Sequence, residues 1–243
     1  MDDTLYKRDR SKKVKLLSKV FNHDEMKYRK DFRLLTVGWK DEFSFIPVAF
    51  CLISSARYLL NAGKKYDRRI LARIRRKKSS LPIPVQTSDL LSQLKSFGVR
   101  YVLFDFWFGT PKIIENTKSL SYEIVCRMKH TSKLFFIYKD KKMFSERLLP
   151  FITRENFKED DRIIGSIFLL IRKNDLPIKL VFCRDSHSSD INNFQIIAST
   201  DIELSSLEII QMYGNSGILK PSVKCVNLIS VYSLNMKASV LME

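Results

Sequence analysis

The sequence contains neither a long hydrophobic run nor a closely spaced pair of cysteines. Its longest apolar stretches, residues 45–56 and 163–171, fall short of the roughly 20 residues that a membrane-spanning helix needs. The 4 cysteines are scattered without a Cys-x-x-Cys motif, which argues against a structural zinc site and favours free thiols in a reducing compartment. No signal-peptide pattern precedes the charged first residues, so we expect a cytoplasmic protein.

Acidic residues and histidine are also scarce. The sequence has 43 Lys and Arg residues against 26 Asp and Glu residues, which gives a formal net charge of +17 at pH 7. Such an excess of positive charge predicts a polyanionic partner, most often nucleic acid, with a basic membrane-surface protein as the alternative. The 3 histidines, His23, His130 and His187, are isolated in the sequence, and each is predicted to be an ordinary polar residue.

Hydrophobic residues, by contrast, are plentiful enough to build a core. They make up 45% of the 243 residues, and 12% are aromatic, which excludes a disordered chain and predicts one large domain or two small ones. The most informative stretch is YVLFDFWF, residues 101–108. Its first four residues form an apolar run between Gly98 and Pro111, which predicts a strand that is buried on both faces.

Asp105 follows that apolar run directly. A carboxylate at the C-terminal end of a central strand lies where open α/β sheets place their chemistry. The alternative interpretation is that Asp105 caps the helix predicted at residues 110–119. Position along the chain does not decide between these two roles.

The remaining elements follow from the spacing of apolar residues. Residues 32–39 and 44–54 predict a hairpin with its turn at residues 40–42. A helix is predicted at residues 88–98, with Thr87 or Ser88 as its N-cap. Later elements are predicted as strands at residues 122–128, 134–139, 166–173, 178–184 and 194–199, a helix-rich stretch at residues 145–161, and a helix that starts at Ser205.

Positive charge is concentrated in two places. Residues 64–78 form either a solvated helix or loop, or a surface that contacts a phosphate backbone. Near the start, Asp2 and Asp3 precede many cations, as part of a solvated terminus or as a carboxylate pair beside a phosphate-binding surface. The residues predicted to bind DNA are Lys12, Lys13, Arg68, Arg69, Arg73, Arg75, Arg76, Lys77 and Lys78.

Strands in a meander, followed by alternating strands and helices, predict a mixed sheet. On five quoted stretches, the chain resembles insertion-sequence DDE transposases of the IS-four-like group. The stretches are DDTLYKRDRSKKVKLLSKVFNH, FRLLTVGWKDEFSFIPVAFCLISSA, YVLFDFWF, LPIKLVFCRDS and IIASTDIELSSLEIIQMYG, and together they cover most of residues 2–214.

This resemblance implies an RNase H-like α/β fold, in which a mixed sheet has helices on both faces and a β-rich insertion separates the second Asp from the last helix. It implies that Asp3 and Asp105 are catalytic acids that hold Mg²⁺ or Mn²⁺, with two ions about 4 Å apart acting on phosphodiesters. The implied partners are DNA element ends and target DNA, without a membrane. A homodimer of the intact family, and metal binding by this particular chain, both stay open. The resemblance also implies a bacterial protein that is held at the nucleoid through DNA.

The resemblance is incomplete at both ends. The family has a Glu in the pattern Tyr, two residues, Arg, three residues, Glu, six residues, Lys, and counting from Tyr213 puts Lys220 at the Glu position. An ammonium group there opposes cation binding, so we expect an inactive chain. The family also has a DNA-binding segment before its first Asp, and we therefore expect a truncated N-terminus.

A frameshift near residue 215 would explain Lys220. We accordingly expect that the tail is an out-of-frame peptide, whose residues 220–243 pack poorly against the sheet. The alternative is that the tail diverged in frame. The predicted organisation is a first part of the catalytic core at residues 1–130, a β-rich insertion at 131–190, the end of the core at 191–214 and the tail at 215–243.

Overall fold

A computed structural model describes much of the chain as two compact units. These units lie within residues 1–38, 47–93 and 232–243, and within residues 39–46 and 94–231. The described residues are 18–22, 26–31, 33–40, 45–53, 69, 71–128, 134–154, 162–171, 176–184, 194–214 and 228–234.

The first unit contains two strand pairs. Strand β1 (Ser18–Asn22) pairs antiparallel with β2 (Lys27–Asp31). Strands β3 (Arg33–Lys40) and β4 (Phe45–Ile53) are neighbours in a sheet, which confirms both strands of the predicted hairpin. The predicted turn overlaps the end of β3 at Lys40, and its other two residues lie outside the described part of the chain.

Two helices follow in the same unit. Helix α1 (Leu71–Ser79) forms from the basic run, and α2 (Ile83–Ser92) precedes a short 3₁₀ helix at Lys95–Phe97. Leu90 and Leu91 are buried on α2, as their spacing predicts. Gly98, at φ +63°, ends the 3₁₀ helix in the left-handed conformation that glycine adopts without strain.

The predicted N-cap of α2 is wrong. The helix begins after Pro82, and its cap residue makes no side-chain hydrogen bond. Thr87 and Ser88 instead lie inside the helix, where their hydroxyls donate to the carbonyls of Ile83 and Pro84, each at 2.9 Å. Proline favours an early start because its fixed φ suits the first turn and its missing N–H has no partner to lose there.

A mixed sheet organises the second unit. Its elements in chain order are β5 (Tyr101–Phe104), α3 (Pro111–Lys118), β6 (Glu123–Arg127), β7 (Phe135–Tyr138), β8 (Lys141–Phe144), α4 (Ser145–Leu148), β9 (Thr153–Arg154), β10 (Ile163–Ile171), β11 (Leu176–Arg184), β12 (Phe194–Ser199), α5 (Ser206–Gly214) and β13 (Leu228–Leu234). The strand order is β13-β5-β6-β12-β11-β10-β7-β8, and β9 pairs with β10. Strand β5 is parallel to β6 and β13, whereas β12, β11 and β10 pair antiparallel. The predicted mixed α/β fold, with a β-rich insertion before the last helix, is confirmed.

One part of the core of this unit lies between the sheet and α5. All four residues of β5 are buried, as the apolar run predicts. On α5, Ile209, Ile210 and Tyr213 recur at the spacing of one helical face and pack against residues of β5, β6, β11 and β12. Burial of this face fixes the helix on the sheet, because an isolated helix of 9 residues is only marginally stable.

One prediction about this unit is corrected. Within the described residues 145–154, the predicted helix-rich stretch is helical only through α4 and a 3₁₀ helix at Leu149–Phe151, because Ile152 is extended and β9 follows. In the predicted tail, Leu228–Val231 pair in parallel register with Tyr101–Phe104, and the out-of-frame origin of the tail stays a prediction. The β-branched residues of β13 are typical of strands.

Within the described residues, every helix is too short or too polar to cross a lipid bilayer.

Candidate active site

Asp105 follows the last residue of β5 and is half-buried. The Phe106 N–H donates a hydrogen bond to its Oδ1 at 2.7 Å, and the Phe108 N–H donates to its backbone carbonyl at 2.9 Å. Among the described residues, no hydrogen bond or ion pair reaches Oδ2. The carboxylate is therefore oriented by its own turn, and its second oxygen has no partner within the described part of the chain.

Asp105 does not cap the helix that follows. The N-cap of α3 is Thr110, and the side chain of that cap makes no hydrogen bond to the helix. Pro111 begins the helix instead. The capping alternative for Asp105 is thus wrong, and its position at the end of a parallel strand is the feature that needs a functional explanation.

The turn after Asp105 is held against the end of β6 by a close backbone contact. A Cβ atom on Gly109 would lie 2.2 Å from the Arg127 carbonyl oxygen, so only glycine allows this approach. Phe108 anchors the turn from the other side, since it is buried and its ring centroid lies 6.3 Å from that of Phe104. Both contacts fix the backbone on which the carboxylate is mounted.

Two aromatic rings and a guanidinium group lie in the same turn region. The ring centroids of Phe106 and Trp107 are 4.9 Å apart, and Trp107 remains 37% exposed. The Arg127 guanidinium lies over the Phe106 ring, 5.8 Å from its centroid. Arg127 is one position beyond Cys126, which pairs with Phe104, so this group flanks the position of Asp105 in the sheet.

A second polar cluster lies at the opposite edge of the sheet. Asp201 is 8% exposed, and its Oδ2 accepts hydrogen bonds from the Arg100 guanidinium and from the Tyr101 hydroxyl, both at 2.7 Å. Its Oδ1 accepts from the Glu203 N–H at 3.2 Å. Burial, followed by the hydrogen bond to Asp201, raises the pKa of the Tyr101 hydroxyl well above its usual value, so Tyr101 acts as the donor.

Thr200 extends this cluster to β6. Its hydroxyl donates to Glu123 Oε2 at 2.7 Å and accepts from the Ile124 N–H at 3.0 Å. The other Glu123 oxygen pairs with Lys118. Because β12 is antiparallel to β6, the end of β12 meets the start of β6 here, and α5 begins a few residues later. Sequence reasoning treated Thr200 and Asp201 only as a connection and missed both contacts.

The predicted DNA-binding residues lie partly in the described chain. Arg73, Arg75, Lys77 and Lys78 are exposed on α1, and Arg69 is exposed just before it. Arg76 belongs to α1. Residues that lie outside the described part of the chain are Asp3, Lys12, Lys13, Arg68 and Lys220.

The described chain therefore supplies one of the two predicted metal-binding acids. No group of three or more His, Cys, Asp or Glu side chains in the described ranges is arranged to hold a metal ion. Asp105 offers a carboxylate oxygen without a described partner, which is the type of ligand that hard divalent cations prefer. Within the described residues, β6 and β13 are the neighbours of β5 in the sheet.

A comparison of the sequence with protein families gives a match that includes the turn at Asp105. A family model described as DDE superfamily endonuclease matches residues 1–143, more than half of the chain, and includes Asp3 and Asp105. The chain belongs to this superfamily, whose members act on DNA and generally use divalent metals. A search of curated proteins found no match.

We predict that Asp201→Asn lowers the free energy of unfolding by about 1.5–3 kcal/mol, because the variant loses a charged acceptor for Arg100 and Tyr101. Urea unfolding at pH 7 measures the change. Glu203→Gln is the matched control, because Glu203 is exposed and donates only its backbone N–H to Asp201. Equal stability of the two variants would contradict the role given to Asp201.

Proposed function

We propose that this chain is a transposase of the IS-four-like group, whose parent enzyme cleaves and transfers DNA strands, and that the chain itself is inactive. The observation that carries the proposal is the oriented carboxylate of Asp105 at the end of β5, within a DDE superfamily match. The alternative is a silent remnant that only binds DNA without sequence preference. The net charge of +17 is compatible with both.

In the parent enzyme, Asp105 and Asp3 would hold the divalent ions. A bound Mg²⁺ or Mn²⁺ lowers the pKa of a water ligand or hydroxyl and neutralises charge that develops on the leaving oxygen. The part of this chain is to orient Oδ1 of Asp105 through the Phe106 N–H, which leaves Oδ2 for the cation. Gly109 keeps that turn against β6, so the carboxylate has a defined direction before any ligand arrives.

Lys220 motivates the proposed inactivity. In the family pattern its position belongs to the third acid, and a positive side chain near the cations raises the free energy of metal binding. The site would then lack one carboxylate and gain one positive charge. Either change would lower the affinity of the site for a pair of divalent ions, which would then depend on the remaining two acids.

A frameshift supplies an origin for Lys220. Residues 216–220, Ser-Gly-Ile-Leu-Lys, can be encoded as AGT GGG ATA TTG AAG. When the reading frame is shifted back by one nucleotide, the same nucleotides contain TGG GAT ATT GAA, which encodes Trp-Asp-Ile-Glu. The family resemblance leads us to expect this sequence around the third acid. Codons downstream still permit a Lys at residue 227, where the family pattern has one.

We predict that the gene reads as a frameshift. If the nucleotides for residues 216–220 contain Trp-Asp-Ile-Glu in the alternative frame, followed by a helical segment with a Lys, the frameshift is supported. Sequencing the gene makes the comparison directly. An alternative frame without these residues, or with an early stop codon, would show that the tail diverged in frame.

We predict that the purified chain cleaves and transfers no DNA strand with Mg²⁺ or Mn²⁺, because the third acid is absent. Incubation with plasmid and with labelled linear DNA measures nicking and joining, and Asp105→Ala should match the unmodified chain. Cleavage that needs metal, disappears in Asp105→Ala and persists in Asp89→Ala would overturn the proposal, since Asp89 is an exposed acid on α2.

We predict that the basic helix α1 contributes to DNA affinity by binding phosphates. Replacing Arg73, Arg75, Arg76, Lys77 and Lys78 with Gln should flatten the plot of log affinity against log salt by about 0.9 for each phosphate that α1 neutralises in the unmodified chain. Fluorescence anisotropy with labelled duplex DNA measures the slope.

A matched control separates this helix from net charge in general. It replaces five other cations with Gln, namely Lys139, Lys141, Lys142, Arg147 and Arg154 in the β-rich insertion, all of which are exposed. Both variants lose the same charge. If the two slopes change equally, or neither changes, α1 is only a solvated helix.

A further inference from the structure

The face of the sheet on which α5 packs continues beyond that helix. Val181 belongs to the core under α5, and Lys179, two positions earlier on β11, lies on the same face. Directly paired residues of neighbouring strands share a face, which places Phe168 of β10 beside Lys179 and Leu170 beside Pro177. Phe168 is 57% exposed, so this part of the sheet face is open to solvent.

A groove of about 490 Å³ lies on this open part of the sheet. Apolar residues from β7, β10, β11 and the connection before α5 line it, namely Ile137, Phe168, Leu170, Pro177 and Ile202. The opposite face of β10 already supplies Ile167 and Leu169 to the core. A strand with one solvated face normally has polar residues there, so the apolar lining departs from the usual pattern. Contiguous exposed apolar surface of this kind is typical of an interaction site.

Lys179 holds one wall of the groove in place. Its side chain is buried, and its ammonium group donates a hydrogen bond to the Leu204 carbonyl at 2.8 Å. The same group lies over the Phe168 ring, 5.3 Å from its centroid. These contacts join the connection before α5 to β10 and fix the position of the Phe168 ring. A wall that is already ordered lowers the entropic cost of binding.

Positive charge lies on the other side of the groove, at the hairpin of β7 and β8. Residues 139–142 contain three lysines and one acid, Asp140, and all four are exposed. Lys142 pairs with Ile137, so it lies on the face that contains the groove. Among the described residues, no acid forms an ion pair with Lys139, Lys141 or Lys142. This rim therefore favours a partner with negative charge.

The shape and charge of the groove decide which partner fits it. A phosphate backbone would leave the apolar lining uncovered, and a lipid surface is bound by apolar groups that insert into it, not by a concave groove. A second copy of the chain, paired by a twofold axis, would bring the same lysines together. A helix with one apolar face and acidic flanks would fill the groove and place opposite charge beside the lysines.

We propose that this groove binds the apolar face of an acidic amphipathic helix from a partner protein. Phe168 and Ile202 contact apolar side chains of the helix, and the lysines of residues 139–142 face its carboxylates. The interaction requires neither DNA nor a metal ion, so it is independent of the proposed function.

The test measures fluorescence anisotropy of a labelled peptide with three repeats of Leu-Glu-Glu-Leu-Phe-Glu-Glu, which places Leu and Phe on one helical face. The full chain should bind this peptide more tightly than the same peptide with Ser in place of Leu and Phe. Phe168→Ala should weaken binding by roughly 5- to 30-fold, as for truncation of an interface anchor. Phe97→Ala is the matched control and should not change binding, because Phe97 is 54% exposed and lies outside the groove.

A second pair of variants tests the charged rim. Replacing Lys139, Lys141 and Lys142 with Gln should lower the affinity and flatten its dependence on salt. Replacing Arg73, Arg75 and Lys77 of α1 with Gln removes the same charge and should change both quantities much less.

Ile202→Ser repeats the apolar test on another wall of the groove and should also weaken binding, because Ile202 is 36% exposed there. Thermal unfolding of Phe168→Ala and Ile202→Ser monitors folding. If one variant unfolds, the other still decides the test.

Several results would overturn the proposal. These are no binding of the acidic peptide, equal binding of the Ser-substituted peptide, and equal effects of Phe168→Ala and Phe97→Ala. Binding to vesicles of equal parts phosphatidylcholine and phosphatidylserine that Phe168→Ala abolishes, without peptide binding, would assign the groove to a lipid surface. A dimer in sedimentation that Phe168→Ala dissociates, again without peptide binding, would assign it to a second copy of the chain. None of these results bears on DNA binding or cleavage, so the proposed function is tested separately.

Discussion

The hydrogen bonds of the Asp201 carboxylate hold the start of the short central strand on which the candidate site is mounted. Strand β5 has only four residues, and its own ladder with two neighbours is brief. Asp201 adds bonds from Tyr101, the first residue of that strand, and from Arg100 just before it. A buried carboxylate is costly unless it is fully hydrogen-bonded, and here both oxygens have donors. Removing any one donor would leave charge uncompensated, which makes the arrangement sensitive to single substitutions.

Close packing, and not charge, positions the turn that follows the C-terminal end of β5. Gly109 approaches the Arg127 carbonyl so closely that no side chain fits between them, and Phe108 fills the core beneath. Asp105 lies in the turn that these contacts define. The acid that folding requires and the acid that chemistry would use thus lie at different edges of one sheet. Both carboxylate oxygens of Asp201 accept hydrogen bonds, whereas one carboxylate oxygen of Asp105 has no described partner.

Local patterns in the sequence predicted the elements that depend on local physics. The apolar run at Tyr101–Phe104, the apolar residues of β12 and the apolar face of α5 each indicate their burial within a few residues. The start of α2 was missed because both a proline and a hydroxyl residue are typical of a helix start. The helix begins after Pro82 and not at the hydroxyl residues Thr87 and Ser88. Contacts between distant residues were missed for a different reason. Asp201 and Tyr101 are 100 positions apart, so their hydrogen bond becomes visible only once β12 and β6 are paired.

The separation of the two acids bears on how a transposase chain could lose its chemistry and keep its fold. Carboxylates gathered for metal binding repel one another, and the cations remove that repulsion. Without the cations, such a cluster opposes folding, so substitution of one of its acids need not destabilise the protein. Asp105 is part of neither the core under α5 nor the Asp201 cluster. On the proposed function, a change at the third acid position is therefore expected to cost metal affinity while the fold persists, and the result would be a folded chain that keeps its positive charge and loses its catalysis.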